Sequence, residues 1–206
     1  MTVALLICAV PPKGTPFVMI AADSLATSLE EGFRDEKAKK IFDAGNALMT
    51  TSGNVSDEYR EDVARILRDK TDGTIEDKMF ALKQILAEDK QDYGLEHLNV
   101  GLLQFDEEGN PQIGLSGINI DADVEPVYGP VTYQKDFPRV EHLYVGVTRT
   151  AEINELINQL SNKLVEGKIT RSSVENAAKW FIRKVAYICP DQVNGVVQVQ
   201  TLRYKL

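Results

Sequence analysis

The spacing of apolar residues changes period along this chain, and the order of those changes limits the fold more than any other feature. Residues 3–10 and 17–22 are β-rich and are separated by PPKGTP, whose prolines and glycine mark the connection of a hairpin. A further extended piece is expected at 25–28, LATS. After the charged stretch EEGFRDEKAKK, short apolar runs around Ile41 and at 47–51 are joined by DAGN and read as a second hairpin. From Ser56 the period becomes helical. Tyr59, Val63, Ile66 and Leu67 form one stripe, and after a TDG break Ile75, Met79, Leu82 and Leu86 form another. Strand patterns return at 98–105, 112–118, about 124–132 and 142–147, with EEGN as the first turn. Two more helical stripes carry Ile153, Leu156, Ile157, Leu160 and Leu164, then Val174, Ala177, Ala178, Phe181, Ile182 and Val185. Pro190 stops the last helix, and VNGVVQVQTL supplies a closing strand with period-two alternation. Strands, two helices, strands, two helices and a final strand predict an α+β domain in which antiparallel sheets lie between helical layers, rather than a doubly wound parallel sheet. With no linker, internal repeat or low-complexity segment, residues 1–206 are read as a single domain.

Composition narrows the function. The chain has 31 acidic and 23 basic residues, a formal charge of −8, and no cluster of Lys and Arg that would track a phosphate backbone. Nucleic acid is therefore not expected as a partner. The first apolar run is too short to span a bilayer and has no basic leader before it, so a cytoplasmic protein with no membrane association is expected. Cys8 and Cys189 sit in apolar surroundings without metal-ligand spacing and are read as core residues. His97 and His142 flank strand patterns and are read as structural.

The residues with chemistry to offer lie near the start. If Met1 is removed, Thr2 carries a hydroxyl and a free α-amine on one residue. A threonine hydroxyl is a poor nucleophile until a base takes its proton, and an α-amine of reference pKa about 7.7–8.0 suits that task. A hairpin turning on Lys13 and Gly14 places Ala4 opposite Asp23 and Thr2 opposite Leu25. Thr2 and Asp23 are then diagonal neighbours on one face, roughly 7–8 Å apart. Asp23 closes the apolar strand FVMIAAD, where a lone carboxylate is costly to bury, so it calls for a cation. Lys40, immediately before Ile41 and Phe42 in KAKKIF, is the candidate, with Lys39 the choice if the register slips by one. A lysine held there favours the neutral amine and stabilises developing negative charge. Taken singly, each of these residues also fits a plain structural role: a strand-starting Thr, an Asp–Ser turn and a solvated lysine loop.

Taken together with VMIAADSLATS, KAKKIF, ALMTTSGNVSDEY, LYVGVTRTAEINEL and PDQVNGVVQVQTL, the sequence resembles the proteasome β-subunit family and the related bacterial peptidase subunit of a two-component ATP-dependent protease. The resemblance implies a four-layer αββα N-terminal-nucleophile hydrolase. It implies Thr2 as nucleophile, Asp23 as acidic partner and Lys40 as cation, with Thr27 as a backbone substrate contact and Thr50 as the place where a backbone N–H binds the oxyanion. It further implies a homo-oligomeric ring that cleaves peptide or unfolded protein, fed by an ATP-dependent unfoldase, with no cofactor. The chain departs from the family where Val147 and Val193 stand in place of serines and where Thr50 stands in place of glycine. A catalytically silent homologue serving as a structural or binding subunit, and a small-molecule amidase of the same fold, are the alternative expectations.

Overall fold

The computed structural model describes residues 2–28, 33–53, 55–70, 73–93, 97–119, 128–146 and 149–204. Two antiparallel sheets stack face to face, and a pair of helices covers the outer side of each. The first sheet has four strands in the order β10-β1-β2-β11, built from Arg139–Val145, Ala4–Val10, Phe17–Asp23 and Val197–Arg203. The second has five in the order β5-β6-β7-β8-β9, built from Ile41–Asp43, Ala47–Gly53, His97–Phe105, Pro111–Asn119 and Tyr128–Thr132. The helices α1 (Asp57–Lys70) and α2 (Ile75–Tyr93) lie between β6 and β7 in the chain, and α3 (Ala151–Glu166) and α4 (Arg171–Ile188) between β10 and β11. Each helical pair closes over the sheet whose strands flank it in sequence.

Layering explains why β1 and β2 read as continuous apolar runs: every residue of both strands is buried. Odd positions such as Leu5, Ile7, Met19 and Ala21 face α3 and α4, where they meet Leu160, Phe181 and Ile182. Even positions such as Leu6, Cys8, Val18 and Ile20 face the second sheet and meet Leu48, Leu103 and Ile113. The outer face of the second sheet buries Met49, Val100 and Leu102 against Val63, Leu67, Leu82 and Leu86. Burying a side chain of this size contributes roughly 1.5–3 kcal/mol, so the three apolar seams dominate stability. Thr150 caps α3 by accepting from the Ile153 N–H at 3.3 Å, and Thr170 with Ser173 forms a capping box at the start of α4.

Three local expectations change. The charged stretch after Ser28 contains a strand, β4 (Phe33–Asp35), paired with β3 (Ala26–Ser28) as a separate ribbon. Two-residue alternation is too short a signal to show in three residues rich in charge. Of the strand expected at about 124–132, residues 128–132 form β9 and 124–127 lie outside the described residues, as does Val147 at the end of the strand expected at 142–147. The β1–β2 register also differs: Ala4 pairs with Ala22, which puts Asp23 opposite Val3 and takes it off the face that Thr2 would share. Pro11, Pro12 and Pro16 bracket the turn and lack the N–H groups that a ladder needs close to it. The strands therefore stop at Val10 and Phe17, and a wider loop sets the parity.

Close packing of the two sheets depends on Gly101 of β7. A Cβ there would lie 2.6 Å from Leu6 Cδ2 of the facing sheet, too near for either to keep its place. Gly101→Val should therefore lower stability by about 1–3 kcal/mol through overpacking, read as a lower urea midpoint with an unchanged slope.

Candidate active site

The end of β2 drives a carboxylate into the protein. Asp23 is fully buried, and its oxygens accept the backbone N–H groups of Val3 at 2.8 Å and Leu25 at 3.0 Å, with a third from the backbone of Asn194. The Asp23 N–H returns a bond to the Val3 carbonyl at 3.0 Å, so residue 23 grips both polar groups of the residue that follows Thr2. Burial pushes the carboxyl above the ordinary carboxylate range. The three N–H groups and the Lys40 cation pull the other way.

Lys40 is buried, whereas Lys39 points outward to an ion pair with Glu61 at 3.1 Å, so Lys40 is the one of the two that reaches the interior. Its backbone is held from both sides. The Lys40 N–H donates to Gln198 Oε1 at 3.1 Å, Gln198 Nε2 donates to the Ala38 carbonyl at 2.6 Å, and Thr50 Oγ1 donates to the Lys40 carbonyl at 2.9 Å. Gln198 belongs to β11 at the edge of one sheet and Thr50 to β6 of the other, so Lys40 enters at the seam between sheets. Burial and the Arg60 guanidinium push its ammonium down to about 8, against the pull of Asp23, Asp57 and Asp35. Among the described residues no ion pair within 4.0 Å joins Lys40 to Asp23; the two act on each other through space.

Thr2 completes the cluster through the backbone. It is 1% exposed, and its Oγ1 is buried with no hydrogen-bond partner among the described residues. Its carbonyl accepts from Ser52 Oγ at 3.3 Å. Gly146, with φ of +147°, lies so close that a Cβ would sit 2.4 Å from the same carbonyl, so only glycine fits there. Thr2, Asp23 and Lys40 thus occupy one region, but Asp23 reaches it by holding the Val3 N–H rather than by facing Thr2 across a strand pair.

The other two expected residues are placed differently. Thr27 lies on β3 opposite Arg34, and its side chain is outside the described residues. Thr50 sits in mid-strand, paired with Ile41 on one side and Gly101 on the other. Its N–H is enclosed by the ladder, so an oxyanion cannot reach it. The β5 strand pairs with β6 only as far as Thr50, so among the described residues Thr51–Gly53 have no strand partner on that side, and Ser52 lies beside Thr2.

Several supporting residues escaped sequence reasoning. Asn194 carries the polar role at the closing segment: its Oδ1 accepts from the Ser24 N–H at 3.2 Å, and its Nδ2 donates to the Glu36 carbonyl at 3.1 Å, while Val193 beside it is buried among apolar side chains. Ser52 and Arg60 also matter. Only Arg60 left a readable signal, since it stands three and four residues before Val63 and Ala64 and so falls on the buried stripe of α1. Cys8 is buried in the core and Cys189 caps α4; both are free. Burial lowers the proton affinity of His142, and His97 is exposed at the start of β7. Among the described residues no three His, Cys, Asp or Glu side chains gather as a metal group, and no helix is long and apolar enough to cross a membrane. A cleft of about 540 Å³ lies on the outer face of α4 beside Trp180 and Tyr187 and includes none of these groups. No family model matches the chain, and no curated protein matches it.

Two substitutions probe this charge arrangement. With its pKa lowered to about 8 from 10.5, Lys40 costs stability at pH 7, and that cost fades as pH rises from about 8 toward 10.5, where the unfolded chain also loses its proton. Lys40→Met should therefore be more stable than wild type by on the order of 1–3 kcal/mol at pH 7, with the gap narrowing at higher pH in parallel denaturant titrations. Asp23→Asn keeps the shape but turns an NH₂ toward one of the backbone donors. It should lower stability by about 1–3 kcal/mol in the same titrations.

Proposed function

We propose that the chain is a threonine-type N-terminal-nucleophile hydrolase of the proteasome-like kind, cleaving peptide bonds once the residue before Thr2 is removed. The observation that carries this reading is the Thr2 hydroxyl, buried and without a partner among the described residues, beside a buried carboxylate and a buried lysine. Leaving a buried hydroxyl unsatisfied costs about 1–3 kcal/mol, and stability alone would favour Val or a paired Thr at this place. A nucleophile waiting for its own α-amine and a substrate accounts for the cost.

In the proposed reaction, the freed α-amine takes the proton from Thr2 Oγ1 as that oxygen attacks the scissile carbonyl. The resulting oxyanion is met by backbone N–H on the open edge of β6 at Thr51–Gly53 and by the Lys40 charge. Collapse breaks the C–N bond, the protonated amine gives its proton to the leaving nitrogen, and an ester to Thr2 remains. Water, deprotonated by the same amine, attacks the ester carbonyl; the acid leaves and Thr2 Oγ1 regains its proton. Asp23 serves by fixing the Val3 N–H, hence the position of Thr2, and by keeping Lys40 charged. The substrate class is peptide or unfolded protein, and a homo-oligomeric ring with an ATP-dependent unfoldase is the assembly that goes with this chemistry in the family the sequence resembles.

The chemistry needs a neutral α-amine, whose reference pKa is about 7.7–8.0, and a charged Lys40, whose ammonium is held at about 8. Turnover should rise with pH through the first and fall through the second, giving a narrow optimum close to pH 8. Untagged protein should show an intact mass lacking Met1, and Thr2→Ala should abolish hydrolysis of fluorogenic peptides. Equal rates for Thr2→Ala and wild type would remove Thr2 from the mechanism.

A further inference from the structure

Among the described side chains of α1, Arg60 is the one charged residue that turns into the protein, only 5% exposed, at the first turn of the helix. All three arms of its guanidinium are engaged. Nε donates to Thr51 Oγ1 at 2.9 Å, Nη2 donates to the Gly53 carbonyl at 3.3 Å, and Nη1 pairs with Asp57 one helical turn earlier. The first two contacts bracket Ser52, whose own side chain alternates to the opposite face of β6 and donates to the Thr2 carbonyl. A single buried fork therefore grips the residues on both sides of the one that touches Thr2.

That grip falls where β6 most needs it. Beyond Thr50 the strand has lost β5 as a neighbour, and its remaining ladder runs only to Ser52 and Gly53 against Asn99 and Leu98 of β7. Gly53, at φ of +152°, cannot carry a side chain because a Cβ would lie 2.3 Å from the His97 carbonyl, so no packing of its own steadies it. An arginine suits this place better than a lysine, since its planar fork serves two acceptors in fixed directions.

We propose that Arg60 is a positioning residue for the Thr2 reaction, clamping the free end of β6 through Thr51 and Gly53 so that Ser52 and the open backbone edge face Thr2 in the reactive geometry. This rests on the peptidase reading above. The same guanidinium is a fixed positive charge acting on Lys40, whose other charged neighbours are Asp23 from β2, Asp57 from α1 and Asp35 from β4. Arg60 has two separable effects: it holds geometry through its hydrogen bonds, and it lowers the proton affinity of Lys40 through its charge.

Arg60→Met removes both effects, and Arg60→Lys keeps the charge but loses the fork. In full-length protein, amide hydrogen exchange at Ser52 and Gly53 should speed at least tenfold in both variants, with exchange in the α3–α4 half unchanged. Peptide turnover should lose about tenfold or more in kcat in both variants, with KM within about twofold. Lys40, followed by NMR of ¹³Cε-labelled lysine, should titrate at a higher pH in Arg60→Met and near the wild-type value in Arg60→Lys. The proposal is overturned if Arg60→Lys retains wild-type exchange at residues 52–53, or if it retains wild-type kcat. If the unmutated protein itself turns over no peptide, the peptidase reading fails, while exchange still decides whether Arg60 holds the strand end. Arg60→Lys preserves charge and most of the side-chain volume, so it guards against a loss that reflects only misfolding of Arg60→Met.

Discussion

A carboxylate and an ammonium are buried at the seam where two sheets meet, and much of the local structure exists to make that tolerable. Both side chains are buried, and they do not touch each other closely enough to form an ion pair. Asp23 is made tolerable by backbone: three N–H groups from Val3, Leu25 and Asn194 converge on it, drawn from the start of β1, the turn after β2 and the segment before β11. Each of those segments is thereby tied to the same point. Lys40 receives less compensation, and its ammonium gives up part of its proton affinity instead. The pair thus welds three chain segments together on the acidic side and leaves a cation easily perturbed on the basic side.

The sandwich makes such a place available. The central strands of both sheets pair on two sides and pack their side chains against helices or the facing sheet. Only at strand ends does the ladder run out while burial persists. The start of β1, the end of β2, the approach to β5 and the last residues of β6 all run out in one corner, where Ser52 meets the Thr2 carbonyl and Gln198 spans to Lys40 and Ala38. Glycine is required there because backbones nearly touch: Gly146 over the Thr2 carbonyl leaves no room for a Cβ.

The architecture was legible because long periodic segments carry it. The four helices and the strands built on β1, β2, β6, β7 and β8 follow directly from apolar spacing, and their order leaves few layered arrangements. What was not legible depends on short or parity-sensitive features. The β3–β4 ribbon lies in a stretch of charges with no stripe, and the β1–β2 register turned on how three prolines shape one loop. A shift of one residue there moved Asp23 from a side-chain neighbour of Thr2 to a backbone clamp on Val3. Lys40 could be picked out because two large apolar residues follow it, but no sequence pattern announces that Gln198 meets it from a distant part of the chain, or that Asn194 reaches Ser24 and Ser52 reaches Thr2. Thr50, a position chosen by likeness to a motif, lies in mid-strand between Ile41 and Gly101, a placement that the motif does not announce.

Two cations near one another in a buried corner break the ordinary rule that interior charges are matched. Arg60 has Asp57 to balance it and three acceptors to satisfy it, so it loses little by being there. Lys40 has no such escape, and Arg60 adds to its burden rather than relieving it. Met or Leu in place of Lys40 would fill the same volume and remove the cost of burying the ammonium, while taking from Asp23 the cation that draws its carboxyl down. An orphaned hydroxyl on Thr2 in the same corner adds a second unpaid term of similar size. Buried hydroxyls without a partner among the described residues recur at Ser116 and Thr201, but at Thr2 the hydroxyl lies beside a buried carboxylate and buried cations, and that conjunction is what the proposed peptidase role accounts for.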